Sequence, residues 1–373
     1  MRILVLNSGS SSIKYRLLDL TRSTAVAGGT VEEMGDHREG LGRIVTTLAG
    51  QEISAIGHRV VHGGERFREP VLLSDPVIEE LRRLNPLAPL HNPANLLGME
   101  RAREVWPDAP QVAVFDTAFH QTLPPPAFTY AIPEALARNH GIRRYGFHGI
   151  SHASVARRSA ALIRRPLESL NLISLHLGNG ASAAAIRGGR SVDTSMGLTP
   201  LEGLVMGTRS GDLDPAILPY LARCTGAGLD EIEGILLRES GLLGLAGTND
   251  MRELERRTRD GDATARVAVD VFCYRLKKYV GAYAAALGRL DAVAFTGGIG
   301  EHSALVRGLC LQNLSILGIA VDEEKNRSSA TGEREIGTGA VRVLVLPADE
   351  ELEIATQTAA CLEEARRNTR TDS

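Results

Sequence analysis

Near its amino terminus the chain reads Ile3-Leu4-Val5-Leu6-Asn7-Ser8-Gly9-Ser10-Ser11-Ser12-Ile13-Lys14, and this stretch decides the fold. Residues 3–6 form an apolar run suited to a buried strand, and residues 15–18 resume an extended pattern after the turn. Gly9 permits backbone angles that bulkier residues avoid, and the serine hydroxyls with the Lys14 ammonium can hold phosphate. The spacing is not that of a P-loop. Taken alone, the stretch is equally consistent with an ordinary Ser/Gly hairpin.

A second stretch of the same type lies in the middle of the chain. Residues 172–177 form an apolar strand, residues 178–182 read Gly-Asn-Gly-Ala-Ser, and residues 183–187 continue in an extended pattern. Two such units suggest a duplicated domain in which each half offers one hairpin to a shared cleft. The alternative is coincidence, because Asn-Gly hairpins are common.

Strand-like and helix-like segments alternate elsewhere, which predicts an α/β fold. We expect further strands at 53–57, 111–115, 291–296 and 341–346, and helices at 75–84, 92–105, 151–164, 263–289 and 350–367. In the long helix, Val267 and Val271 are expected to share one apolar face with Leu276. Residues 297–302 read as a glycine-rich turn before a helix, which is a place to receive a nucleotide.

The charge and composition of the chain limit the classes of partner that it can be expected to bind. The chain has 373 residues, is 43% hydrophobic and carries a formal net charge of -3, so neither nucleic acid nor an anionic membrane is an expected partner. Its 4 cysteines form no C-x-x-C pair and fit no zinc spacing. No uncharged apolar run reaches membrane-spanning length, and the first apolar run is too short for a signal peptide. We therefore expect a cytoplasmic protein with reduced thiols.

Three glycine turns at strand ends imply a polyphosphate ligand and hence a carboxylate for Mg²⁺, for which Asp116 and Glu350 are the candidates. Cations must neutralise a transferring phosphoryl group, and the candidates are Lys14, Arg59, His148 and Arg209. Each cation also has an ordinary alternative. Arg209 suits an exposed turn, His148 a helix cap, and Arg59 a salt bridge.

Eight motifs occur in a fixed order along the chain, at residues 6–14, 57–64, 87–93, 115–120, 145–149, 176–180, 206–212 and 295–301. With them the chain resembles the acetokinase family of the sugar kinase, Hsp70 and actin superfamily, over almost its whole length. The resemblance implies two duplicated actin-like (ribonuclease H-like) α/β domains with a nucleotide cleft between them. It assigns residues 1–120 and 354–373 to the first domain and 121–353 to the second, which would bind nucleotide and form a homodimer.

The resemblance also implies the reaction ATP + acetate ⇌ ADP + acetyl phosphate, by direct in-line transfer with Mg²⁺, or Mn²⁺ as its substitute. Propionate or another short-chain carboxylate is an alternative acceptor. A non-catalytic, nucleotide-binding actin-like protein is the alternative from a different class. Because acetate is already ionised at pH 7, Asp116 would orient the arginines and the metal rather than transfer a proton.

The remaining roles follow from motif position. Asp116, His148 and Arg209 would be catalytic, and Asn7 and Glu350 would hold the metal. Arg59 would bind the acetate carboxylate, beside a methyl pocket of Val61, Leu90, Phe147 and Pro200. Nucleotide contacts would come from Ser10, Ser12, Lys14, His176, Leu177, Gly178, Asn179, Gly180, Asp250, Met251, Arg252, Gly298, Ile299, Gly300, Glu301 and His302.

The sequence departs from the family pattern at three residues and in one segment. Ile150 stands where Thr is usual, His302 where Asn is usual, and Asp349 where Asn is usual. The segment between Leu18 and Arg59 is shorter than in the family. These departures bear on nucleotide preference and on the metal geometry rather than on the type of reaction.

Overall fold

The computed structural model describes residues 1–9, 12–22, 24–32, 37–89 and 91–371. The chain divides into two compact units, of which unit 1 comprises Met1–Gln121, Phe147–Ser154 and Asp349–Ser373, and unit 2 comprises Thr122–Gly146 and Val155–Ala348. In the described part of the chain, no helix has the length and apolar character that a bilayer crossing requires.

The strands are β1 (Arg2–Ser8), β2 (Ser12–Asp19), β3 (Thr24–Glu32), β4 (Ala55–Val60), β5 (Val71–Leu72), β6 (Gln111–Phe115), β7 (Asn171–Leu177), β8 (Ala181–Arg187), β9 (Arg190–Thr194), β10 (Ala292–Thr296), β11 (Arg334–Glu335) and β12 (Arg342–Val345). The helices are α1 (His37–Thr47), α2 (Asp75–Arg83), α3 (Asn92–Val105), α4 (Pro125–Phe128), α5 (Glu134–His140), α6 (Gly149–Ile163), α7 (Ile217–Thr225), α8 (Leu229–Arg238), α9 (Gly241–Ala246), α10 (Met251–Arg259), α11 (Ala263–Leu287), α12 (Gly297–His302), α13 (Ala304–Leu311), α14 (Glu323–Arg327) and α15 (Glu350–Thr371).

The two units contain sheets of the same design. The sheet of unit 1 has the order β3-β2-β1-β4-β6-β5, and that of unit 2, taken in the matching direction, has the order β9-β8-β7-β10-β12-β11. In each sheet the first three strands form an antiparallel meander, the next two pairings are parallel, and the short last strand is antiparallel. The predicted α/β fold and its duplication are therefore confirmed.

Successive side chains of β1 point to opposite faces of the sheet, and the apolar run at residues 3–6 is buried on both faces. Ile3 and Val5 belong to a core cluster that includes Ile354 of α15. Leu4 and Leu6 face the opposite side of the sheet, in a cluster that includes α1. Because β1, β4 and β6 are parallel, their carboxyl ends lie along one edge of the sheet, and functional side chains follow them there.

Two local predictions were wrong. The glycine-rich turn after β10 is itself the helix α12, which Gly297 enters with φ +78° while its backbone passes against Leu177. Val267 and Val271 of α11 are 56% and 37% exposed, whereas Leu276 is buried. The step of five residues from 271 to 276 turns the helix by about 140°, so these residues cannot share one face.

Candidate active site

The central interaction of unit 1 is an ion pair between Arg59 and Asp116. Arg59 lies near the end of β4, and Asp116 follows β6 directly. Nε and Nη2 of Arg59 donate to Oδ1 and Oδ2 of Asp116 at 3.2 and 2.7 Å. The Asp116 side chain is only 2% exposed and that of Arg59 19%. A fork of this kind fixes the guanidinium plane as well as its position.

A third charge accompanies the pair. Glu350, the first residue of α15, places its Oε2 at 3.9 Å from Nη1 of Arg59. Burial alone would lower the pKa of Arg59, but the carboxylates of Asp116 and Glu350 raise it further above its usual value. Arg59 therefore stays protonated at every relevant pH.

The backbone beside Asp116 is tightly constrained. The Asp116 carbonyl accepts a hydrogen bond from the Gly149 amide at 2.8 Å, and a Cβ on Gly149 would lie 2.2 Å from that oxygen. His148, just before it, has φ 55°, a left-handed conformation that a non-glycine residue adopts only under constraint. The Phe147 carbonyl accepts a hydrogen bond from Nε2 of His120 at 3.0 Å, which fixes the backbone of Phe147. Residues 147–149 thus pass directly beside the ion pair's carboxylate residue.

Helix α3 fixes the loop that follows β4. The Asn95 side chain accepts from the Val61 amide at 3.1 Å and donates to the Ser8 carbonyl at 2.6 Å. The Asn92 side chain bonds both the amide and the carbonyl of His62. These amide side chains tie the ends of β1 and β4 together, with Val61 half-buried beside them.

The donor chemistry at this edge suits Mg²⁺. Asn7 lies in β1 opposite Lys14, and Glu350 begins the helix that packs on β1 and β4. Within the described residues, no group of three or more His, Cys, Asp or Glu side chains is arranged around a metal position. Mg²⁺ needs no such cage, because it commonly takes one or two carboxylates and completes its shell with water and phosphate oxygens. The Glu350 carboxylate and Asn7 amide oxygen therefore fit a metal that arrives with a nucleotide.

In unit 2, Arg209 stands on a loop closed by Asp212. The Gly203 amide donates to Oδ1 of Asp212 at 2.8 Å, and the Tyr279 hydroxyl of α11 donates to Oδ2 at 2.8 Å. The Arg209 guanidinium donates to the carbonyl of Pro200 at 3.1 Å and contacts the Met206 sulfur, with no carboxylate partner among the described residues. Burial lowers the pKa of Arg209. The result is a positioned guanidinium whose charge is not neutralised.

Unit 2 also contains a cavity of about 560 Å³. It is lined by Gly178, Asn179, Asn249, Asp250, Met251, Arg252, Glu255, Gly298, Ile299, His302 and Ser303. Its volume falls in the range typical of small-molecule sites. A Cβ at Gly298 would meet open space, so neither packing nor backbone angle requires glycine there. The missing side chain leaves room in the cavity.

Eight residues predicted to contact nucleotide line this cavity, namely Gly178, Asn179, Asp250, Met251, Arg252, Gly298, Ile299 and His302. Sequence reasoning missed Asn249, Glu255 and Ser303. Glu255 lies one helical turn after Met251, and Ser303 caps α13 while its hydroxyl donates to Glu255. Helical spacing and the serine cap are signals that could have found them.

The remaining predicted site residues divide between the units. Unit 1 holds Asn7, Ser12, Lys14, Arg59, Val61, Asp116, Phe147, His148 and Glu350, whereas His176, Leu177, Gly180, Pro200, Arg209, Gly300 and Glu301 belong to unit 2. Leu177 and Gly300 are buried and do not line the cavity. Ser10 and Leu90 lie outside the described residues.

The Acetokinase family model matches residues 2–356. The chain belongs to the acetokinase family. It is therefore a kinase that uses ATP or ADP as co-substrate and a carboxyl group as acceptor. It is 50% identical to the acetate kinase of Syntrophobacter fumaroxidans, over 98% of each chain. It is 52% identical to that of Streptomyces coelicolor, also over 98% of each.

Solved structures agree with this family. The crystal structure of Porphyromonas gingivalis acetate kinase superposes with a TM-score of 0.94 at 40% identity, covering 97% of this chain and 99% of that one. A propionate kinase from Francisella tularensis gives 0.92 at 41% identity, covering 96% and 99%. The three residues at which this chain differs from the acetokinase pattern have different surroundings. Ile150 is buried in the core, Asp349 pairs with Arg16 at 2.8 Å, and His302 lines the cavity.

His58, next to Arg59, generates a prediction about pH and stability. Burial lowers its pKa from 6.5 to about 4, although a hydrogen bond with Gln111 partly opposes the shift. Below about pH 6.5 His58 is protonated in the unfolded chain, whereas in the folded chain it stays neutral down to about pH 4. The free energy of unfolding should therefore fall with decreasing pH across that window, by about 1.4 kcal/mol per pH unit.

Urea unfolding at a series of pH values measures this slope in the wild type and in the His58→Gln variant. Glutamine cannot titrate and keeps a donor for Gln111. The wild type should lose stability more steeply than the variant between about pH 6.5 and 4.5. Parallel curves would show that His58 is not the group responsible.

Proposed function

We propose that this enzyme catalyses reversible, Mg²⁺-dependent, in-line transfer of the γ-phosphoryl group of ATP to acetate, giving acetyl phosphate and ADP. The observation that supports it most is the fork between Arg59 and Asp116. Two donors of Arg59 are occupied by a buried carboxylate, and we assign Nη1, which lies 3.9 Å from Glu350, to one small carboxylate at a fixed place. The bound acetate is already ionised, so its oxygen can attack phosphorus without a general base.

The other residues of the site act on charge and orientation. Arg209 and His148 stabilise the negative charge of the transferring phosphoryl group, and Arg209 has no carboxylate partner to compete for its guanidinium. Asn7 and Glu350 hold Mg²⁺, which when bound screens the charge of the nucleotide phosphates. Lys14, Ser10 and Ser12 contact phosphate, and the cavity of unit 2 takes the nucleoside.

The residues assigned to the acceptor pocket are apolar. Phe147 is buried against the ring of His62, and Val61 is half-buried. Leu90 and Pro200 stay predictions from their motif positions. A pocket of this kind distinguishes one methylene by only about 1–3 kcal/mol. Propionate is therefore a second candidate acceptor, and the similarity to the Francisella propionate kinase favours keeping it.

A carboxylate panel tests the proposed acceptor. With ATP and Mg²⁺, kcat/KM should be highest for acetate, about 10- to 200-fold lower for propionate, and lower again for butyrate. Acyl phosphate formation is measured with hydroxylamine, and ADP release by a coupled assay serves as the control. No acetyl phosphate, together with good turnover of another carboxylate, would overturn the assignment to acetate.

Substitution of Gly298 tests the nucleotide cavity. Gly298→Leu should project into the open space of the cavity, since no atom lies within 4 Å of its Cβ position. We expect KM for ATP to rise about tenfold or more while KM for acetate changes little. Gly42→Leu is a matched control, because Gly42 is an exposed helical glycine with equally open surroundings in α1. An unchanged KM for ATP in Gly298→Leu would place the nucleotide elsewhere.

We also propose that two copies associate through unit 2. Val267, Val271 and Tyr274 form an exposed stripe on α11, and Ile217 and Tyr220 of α7 are exposed as well. Apolar area of this kind is typical of contact surfaces. Sedimentation equilibrium should give about 80 kDa, twice the 40.0 kDa of one chain. A species of one chain mass at micromolar concentration would contradict it.

The cytoplasmic location stays a prediction.

A further inference from the structure

Arg307 is the largest side chain that is fully buried in the described part of the protein. It lies in α13 and is 1% exposed. Its guanidinium donates four hydrogen bonds. Nε and Nη2 bond Oδ1 and the carbonyl of Asn326 at 2.8 and 2.7 Å, and Nη1 bonds the carbonyls of Gly300 and Glu301 at 2.8 and 2.9 Å. All four acceptors are neutral oxygens.

The charge of Arg307 has no ion-pair partner. No carboxylate of the described residues lies within ion-pair distance of its guanidinium, and Arg334 places a second guanidinium on the same Glu301 carbonyl at 3.0 Å. Burial lowers the pKa of Arg307 to about 10, and the charge of Arg334 adds to the effect. Arg307 nevertheless remains protonated at neutral pH. The Glu255 carboxylate of the cavity lining opposes this shift in pKa without forming an ion pair, so four neutral oxygens carry most of the stabilisation of a buried charge.

The acceptors indicate what Arg307 does. Gly300 and Glu301 lie in the last turn of α12, and three other residues of this short helix, Gly298, Ile299 and His302, line the cavity. The carbonyls at a helix carboxyl end lack partners within the helix and carry partial negative charge. Arg307 therefore holds the carboxyl-terminal turn of α12 through these two carbonyls, and its own side chain does not line the cavity.

Asn326 makes the attachment rigid. Its side-chain oxygen and its carbonyl both accept from Arg307, and its Nδ2 donates to the Ala304 carbonyl at 2.9 Å. Asn326 lies in α14, whose first turn is capped by Asp322. The guanidinium thus joins α12, α13 and α14 through hydrogen bonds of fixed geometry. Arginine suits this task better than lysine, because its planar fork directs several donors at once.

We propose that Arg307 is a positioning residue for the nucleotide. It holds the carboxyl-terminal turn of α12 in the position at which Gly298, Ile299 and His302 contact the nucleotide. The proposal rests on the assignment of the cavity to nucleotide made above. It concerns a residue that touches neither substrate and acts only through the backbone of α12.

The test separates the two substrates in steady-state kinetics. Arg307→Met removes the donors while keeping a long apolar stem, and should raise KM for ATP about tenfold or more with KM for acetate within about twofold. The Kd of ADP, measured by calorimetry, should weaken by a similar factor. Arg307→Lys keeps the charge and part of the hydrogen bonding, and should give an intermediate value. A general loss of stability would change both KM values, or only the amount of active enzyme.

Arg187→Met is the matched control. Arg187 also bonds two carbonyls at a helix end, those of Ala286 and Leu287 in α11 at 2.9 and 3.3 Å, but none of these residues lines the nucleotide cavity. The Arg187→Met variant should leave KM for ATP unchanged.

Three results would overturn the proposal. The first is a folded Arg307→Met enzyme with wild-type KM for ATP, and the second is an equal rise in both KM values. If Arg307→Met does not fold, Arg307→Lys decides, and the absence of any preferential effect on ATP in that variant is the third. If instead Gly298→Leu also leaves KM for ATP unchanged, the assignment of the cavity has failed rather than the role of Arg307.

Discussion

The buried fork between Arg59 and Asp116 is the interaction on which the site of unit 1 depends. It exists because β4 and β6 are parallel neighbours, so that a residue near the end of one and a residue just after the other meet at one edge. A carboxylate that is 2% exposed requires a charged partner, and the arginine supplies it in a single orientation. The tight passage of Gly149 over the Asp116 carbonyl then fixes residues 147–149 against the same point.

The duplicated sheet serves different chemistry in the two units. In unit 1 the strand ends carry the charged groups to which we assign a small anion and a metal. In unit 2 the equivalent strand β10 leads into α12 at a glycine, and the surrounding glycines leave a cavity of about 560 Å³. The same topology therefore provides one edge rich in fixed charge and one edge with open volume. Arg209 of unit 2, whose guanidinium has no described carboxylate partner, is the cation that we assign to the phosphoryl group.

Much of this could be predicted from the sequence, because local patterns decide it. Apolar runs that end in Asn, Gly and Ser gave the two opening hairpins, and the motif order gave the family. The start of α12 was missed because only the position of Leu177 forces Gly297 to φ +78°. Glu255 and Arg307 were missed because a charged residue in a helix is ordinarily a surface residue. Nothing in the local sequence marks Arg307 as buried.

We assign Asp116 the role of orienting Arg59 for the carboxylate acceptor, and the kinetics of Asp116→Asn test this role. Asparagine keeps the size of the side chain but supplies one acceptor oxygen and no charge. We expect KM for acetate to rise about tenfold or more and kcat to fall, while KM for ATP stays within about twofold of the wild type. A folded Asp116→Asn enzyme with an unchanged KM for acetate and unchanged kcat would contradict it.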